Sequence, residues 1–295
     1  MNALKIHEIP GRVTISSGNG GLPVIRVRSD FSTAEIYPHG AHVTGFQKHG
    51  EAPLLFMSAA SEFRAETPIR GGVPVIFPWF GSRGGMVAHG FARLAEWDLV
   101  ATSVLPLGSI KLSFQLPTEE PYRVTFDVTI GSSLIMALAV CNTGAAPFTF
   151  ETCLHTYFQI GDIRQLRVAG LQGTRYHDQL LAADLTETAD AIRFSAETDR
   201  TYQDTAATVA IIDPVLDRSM IVSKTGSKST VVWNPWIAKS QRMPDFGDDE
   251  YLRMVCVESG NVSENAVTLA PGEESLLTVE VSSFPFTDPI GSRAG

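Results

Sequence analysis

Residues 110–116, IKLSFQL, and residues 122–130, YRVTFDVTI, carry an apolar side chain at every second position. In the first run Ile110, Leu112, Phe114 and Leu116 alternate with Lys111, Ser113 and Gln115. In the second, Arg123, Thr125, Asp127 and Thr129 fall between the apolar residues. Side chains on an extended chain point alternately to its two sides, so a period of two places one face on a core and the other in water. The intervening PTEEP is polar and closed by two prolines, which predicts a hairpin with a longer loop.

SLIMALAVCN (133–142) follows as a more continuously apolar run, read as a strand covered on both faces. PVIRVRS, TAEIY, TVAIID, STVVWN and LLTVEVSS add further short strands. Helical patterns are scarce: SAASEFRAE (58–66) and IAKSQRM (237–243) suit about two turns each. Many short strands punctuated by Gly and Pro predict an all-β fold, a large antiparallel β-sandwich or barrel with a few short helices. No fixed-period repeat, low-complexity tract or linker interrupts the chain, so residues 1–295 are expected to form a single domain.

With 295 residues and a hydrophobic fraction of 44%, the chain can bury a sizeable core. The formal net charge of −9 argues against a nucleic-acid surface. An anionic substrate needs a local cluster of cations working against that field. Three cysteines, Cys141, Cys153 and Cys256, show neither metal-type spacing nor an even disulfide framework. The start lacks the apolar core of a signal peptide, and no apolar run is long enough to span a membrane. Cytoplasm is the expected compartment. With no helical seam to read, a monomer is expected.

Dinucleotide, P-loop, GxSxG and zinc-type His signatures are absent. HGAH (His39, His42) reads as a turn between strands, with metal binding the minority alternative. Four other segments join reactive side chains to turn residues and aromatics. They are RGGVPVIFPWFG (70–81), with Arg70, Trp79 and Phe80; HGFAR (89–93), with His89 and Arg93 on one face if extended; ETCLHTYFQIGDI (151–163), with His155; and NPWIAKSQRMPDFGDDEYLRMVCVESGNV (234–262), with Trp236 and Glu258. Each has an ordinary structural reading. His155 suits a satisfied core histidine, Glu258 a strand end, Arg70 and Arg93 surface cations, Trp79 and Phe80 core, and Asp248, Asp249 and Glu250 a solvated turn. Their shared placement at strand ends and on Gly/Pro loops is where a β scaffold displays function. Aromatic faces with a few polar anchors also suit a sugar ring.

These same segments, with DRTY (199–202), resemble the glucose-6-phosphate 1-epimerases, or hexose-6-phosphate mutarotases, of the aldose 1-epimerase superfamily. The likeness runs in order from Arg70 to Val262. Ser259 stands where the family usually has Pro, and SRGGMVA precedes HGFAR where a Pro-containing approach is usual. The resemblance implies a galactose mutarotase-like β-supersandwich and interconversion of the α and β anomers of a hexose 6-phosphate. It implies His155 and Glu258 as the acid and base, and Arg70 and Arg93 on the anionic end of the substrate. His89 and Asp199 would contact sugar hydroxyls or the reacting centre, while Trp79, Phe80 and Trp236 would shape the sugar pocket.

Mutarotation opens and recloses the ring by two proton transfers, needing one base, one acid and no cofactor, metal or covalent intermediate. That chemistry asks for an ionised Glu258 and a protonated His155 on opposite sides of the sugar, with Asp199 helping to hold the imidazolium. A mutarotase for neutral hexoses, a glycoside-cleaving β-sandwich using Glu258 with Asp199 about 5–10 Å apart, and a non-catalytic sugar-binding protein are the alternatives.

Overall fold

The computed structural model describes residues 4–286. Their strands assemble into antiparallel sheets of nine, eight, four and two strands. The alternating hairpin lies in the nine-stranded sheet. Ile110–Gln115 pairs with Tyr122–Ile130, which pairs in turn with Leu134–Asn142. Phe126 faces Phe114 on one neighbour and Leu138 on the other, so each alternate row buries apolar side chains from three strands. Trp97 meets Phe126 edge-on at 6.4 Å.

The run at 133–142 departs from its expected double cover. Leu134, Met136, Leu138 and Val140 are buried, while Ile135, Ala137, Ala139 and Cys141 are only half-covered. Its continuous apolar look comes from two alanines, which need no core. Met254–Asn261 is a strand covered on both faces, buried at every residue, as its neighbour Ser229–Asn234 also is. It lies inside the eight-stranded sheet, between Ser229–Asn234 on one side and Thr152–Leu154 with Tyr157–Gln159 on the other.

The first expected helix, 58–66, is not one. Ser58 Oγ accepts the N–H of Ala60, and Ser61 Oγ accepts that of Arg70, so short hydroxyl side chains compete with helical hydrogen bonds. Phe63 packs on Tyr37 with ring centroids 5.1 Å apart. The second is shortened to Trp236–Ser240: Ser240 Oγ donates to the carbonyls of Ile237 and Asp248, and Pro244 follows. Among the described residues no helix is long and apolar enough to cross a membrane.

Truncation of Phe126 tests the alternating core directly. Phe126→Ala is expected to lower the unfolding free energy by about 3–5 kcal/mol, whereas Arg123→Ala on the exposed face should change it by no more than about 0.5 kcal/mol. Urea unfolding of the two variants reads the difference.

Candidate active site

The pairings Leu154↔Ser259 and Tyr157↔Cys256 share one register, which sets His155 directly opposite Glu258 on the neighbouring strand. Residues two apart share a face, so Cys153, His155 and Tyr157 line up with Cys256 and Glu258. The same face continues through Trp233, opposite Cys256, to Asp199, opposite Trp233. Leu154, Val255 and Val257 point the other way into the core.

His155 Nε2 lies 3.2 Å from Glu258 Oε1, with the two residues 8% and 1% exposed. The thiol of Cys153 donates to Glu258 Oε2 at 3.5 Å. Tyr157 stacks on the imidazole, centroids 4.8 Å apart and planes 10° apart, and Trp233 meets both rings edge-on. Donor atoms of His155, Cys256 and Glu258 lie within 4.8 Å of one another, close enough to share a soft divalent cation. Burial raises the Cys256 thiol well above its ordinary range, however, and a thiol must deprotonate to ligate.

The glycine-rich loop brings the cations. Gly71 and Gly72 have φ of +114° and +58°, and a Cβ on either would sit 2.5 Å from the Phe56 carbonyl oxygen or 2.3 Å from that of Val43. His42 Nε2 lies 2.8 Å from the Gly71 oxygen and His39 Nε2 2.8 Å from the Thr67 oxygen. HGAH therefore clamps this loop. Arg70 gives its Nε and Nη2 to one oxygen of Asp245 (3.0 and 2.9 Å) and its Nη1 to the Tyr157 hydroxyl at 3.0 Å.

HGFAR is not the extended strand that alternation suggested. His89 and Gly90 both take left-handed φ, +64° and +67°, because the backbone passes against Phe77: a Cβ on Gly90 would lie 2.0 Å from the Phe77 oxygen. The turn still delivers both reactive groups. The His89 ring sits 5.7 Å from that of His155 and edge-on to Phe80 at 4.8 Å. Gly81 N–H donates to His89 Nδ1 at 3.3 Å, so the neutral ring carries its proton on Nε2. Arg93 follows in a short 3-10 turn, 9% exposed. Its Nη2 donates to the Ala88 carbonyl, its Nε has no partner, and no carboxylate among the described residues forms an ion pair with it.

The expected aromatics and acids sort differently. Phe80 faces the site through His89, but Trp79 is 8% exposed and ties its indole N–H to the Val87 oxygen, bracing the loop. Trp236 packs on Tyr251, and the ring that meets His155 is Trp233, three residues earlier. Asp199 is 3.6 Å from Lys239, whose ammonium also lies over Trp233. It sits on the Glu258 side of the site and does not hold a proton on His155. Asp248 and Asp249 are exposed as expected, while Glu250 accepts the N–H groups of Ala59 and Gly247. Tyr157, Trp233 and Asp245 were not singled out in the sequence. Alternation from His155 to Tyr157 was the one available signal.

Burial governs the ionisation of the whole group. It pushes His155 well below its ordinary value, with the charges of His89, Arg70 and Arg93 adding to the effect. It pushes Glu258 well above its own, assisted by the charge of Asp199. His89 falls to about 3 and Arg93 to about 10, again chiefly by burial. For Glu258 and His155 both directions favour the neutral forms, a carboxyl and an imidazole, where the acid–base reading expected an ion pair.

Residues 23–282 match the aldose 1-epimerase family. The chain belongs to that family. It is an isomerase family, and the activity is interconversion of sugar anomers. A Cenchrus ciliaris protein named "Putative glucose-6-phosphate 1-epimerase" is 38% identical over 269 residues, 85% of this chain and 82% of that protein. An Escherichia coli K12 protein of the same name is 35% identical, covering 76% of this chain and 78% of its own length. The crystal structure of a "putative mutarotase" from Salmonella typhimurium, 27% identical, superposes with a TM-score of 0.87 over 97% of this chain and all (100%) of that one. A galactose mutarotase-like protein from Clostridium acetobutylicum, 14% identical, shares the fold at a TM-score of 0.65, over 93% of this chain and 98% of that one. The β-supersandwich expected from the sequence is thereby established.

The raised Glu258 gives a test with a definite sign. The folded chain holds this proton more tightly than the unfolded chain, whose glutamates titrate near about 4.3. Stability from the proton is complete below that pH and is lost as pH rises through the folded value. Glu258→Gln mimics the protonated group at every pH. Calorimetry should show the variant melting above the parent at about pH 8 and together with it near about pH 4.

Proposed function

We propose that the chain interconverts the α and β anomers of a hexose 6-phosphate, with glucose 6-phosphate as substrate. The observation that carries the phosphate is Arg93, a guanidinium buried beside Arg70 with no carboxylate of its own, in a protein of net charge −9. An unpaired buried cation is costly, and a phosphate oxyanion offers two or more acceptors to its planar fork. Arg70 has one proton on each terminal nitrogen left over after Asp245 and Tyr157 are served.

In this reading Glu258 as carboxylate takes the proton of the C1 hydroxyl. The bond from C1 to the ring oxygen breaks, and that oxygen takes the proton of His155 Nε2. The aldehyde rotates about the C1–C2 bond, and the same two transfers run backwards onto its other face. The two oxygens served are bonded to one carbon, so an acid and a base in contact at 3.2 Å suit the reaction better than groups on opposite sides of the ring. In the same reading His89, donating from Nε2, and Asp199, beside Lys239, hold ring hydroxyls. Each positioned transfer contributes about 10²–10⁴ in rate, and the step needs only protons.

Magnetisation-transfer NMR on the anomers of glucose 6-phosphate and glucose tests the reading. His155→Asn and Glu258→Gln should each slow exchange by about 10²-fold or more. Arg93→Gln should raise KM for the phosphorylated sugar at least about tenfold, with little effect on glucose. Equal exchange of both sugars by the parent would remove the phosphate, and undiminished exchange by the His155 and Glu258 variants would remove the acid–base assignment.

A further inference from the structure

The anion site and the proton-transfer pair share a side chain. Tyr157 accepts from Arg70 Nη1 through its hydroxyl and stacks its ring on His155. Burial holds its phenol protonated, so Tyr157 is a neutral bridge between Arg70 and the imidazole. We propose that an oxyanion held by Arg70 and Arg93 does more than anchor the sugar: it activates the His155–Glu258 pair, with Tyr157 as the positioning residue that joins the two sites, so that a separate phosphite dianion switches on mutarotation of an unphosphorylated hexose. The proposal rests on the hexose-phosphate reading above and deepens it.

Every group around His155 bears on this. Glu258 and Cys256 face it from the next strand, Tyr157 stacks on it, Trp233 closes one edge, and His89 approaches from the HGFAR turn. Arg70 and Arg93 act on it through their charge, and both disfavour a proton there. Burial biases the pair towards the neutral carboxyl and imidazole, the protonation of the ring-opened intermediate, in which the carboxyl holds what it should accept and the imidazole lacks what it should donate. A turnover that starts from the closed sugar needs that proton on His155, a transfer across the 3.2 Å contact. A dianion between the two guanidiniums cancels the charges that oppose it.

The experiment uses α- and β-glucose, glucose 6-phosphate and sodium phosphite at neutral pH, with enzyme-free exchange at each phosphite concentration subtracted. Phosphite is expected to raise enzyme-dependent exchange of glucose saturably by about tenfold or more, within the usual range of coupling between two sites. Glucose 6-phosphate should compete with phosphite for the effect. Tyr157→Phe should lower kcat for glucose 6-phosphate and the phosphite activation together, by about tenfold, while KM moves by less than about threefold. No saturable activation, with glucose 6-phosphate still exchanged, overturns the inference and leaves the proposed function standing. No exchange of glucose 6-phosphate overturns both. Equal losses for glucose alone and glucose 6-phosphate in Tyr157→Phe reduce Tyr157 to a structural residue. Should that variant fail to fold, phosphite titration of the unmodified protein decides the question.

Discussion

A carboxyl group and an imidazole on an eight-stranded sheet are desolvated together with two guanidiniums from the loops over it, and the rest of the molecule is arranged around that cost. Charges taken out of water are expensive unless paired. Glu258 and His155 meet the problem by staying neutral together, Arg70 by leaning on Asp245 and Tyr157. Arg93 meets it least well, with one carbonyl contact and a buried Nε that bonds nothing. On the proposed reading, a site in this condition is set up for an anion before one arrives, as electrostatic preorganisation requires.

Such preorganisation depends on backbone that cannot relax. Gly71, Gly72 and Gly90 each pass within a Cβ's reach of another strand's carbonyl, and the His39 and His42 rings hold the loop by two more carbonyls. Arg70 is thereby tied to the four-stranded sheet and Arg93 to the Phe77 turn, while His155 and Glu258 belong to the eight-stranded sheet through their register. Mobile loops would let the guanidiniums swing towards solvent and escape the desolvation that gives them their hold on an anion.

Strands were legible in the sequence because alternation reports burial directly, as the Tyr122–Ile130 strand shows residue by residue. Alternation misleads where size and polarity part company. Ala137 and Ala139 read as core though their face is only half-covered, and in Met254–Asn261 a buried site puts Glu258, Ser259 and Asn261 into a strand with no exposed face. His155, Glu258, Arg70, His89 and Arg93 were visible as reactive types on turns and strand ends. Their supporting residues were not, since Asp245 reaches Arg70 across 175 residues and Trp233 reaches His155 through an intervening strand. Ionisation was invisible for the same reason: it follows from burial on three sides, and no single segment carries it.

On the proposed hexose 6-phosphate reading, the phosphate poses a question of energetics. Both anomers, and the open-chain aldehyde between them, would carry the same phosphate on the same carbon. An anchor that grips all of them equally lowers KM without raising kcat. For two buried arginines to contribute to rate, their interaction with the anion must differ between the resting arrangement and the reacting one. In the proposed activation that difference is the place of one proton: on Glu258 when the guanidinium charges face His155 unopposed, on His155 when they are neutralised. Tyr157, touching Arg70 with its hydroxyl and His155 with its ring, stands at the junction of the two states. On that proposal the arginines serve the chemistry through charge on the imidazole, and a remote part of the substrate pays for a proton transfer at its reacting centre.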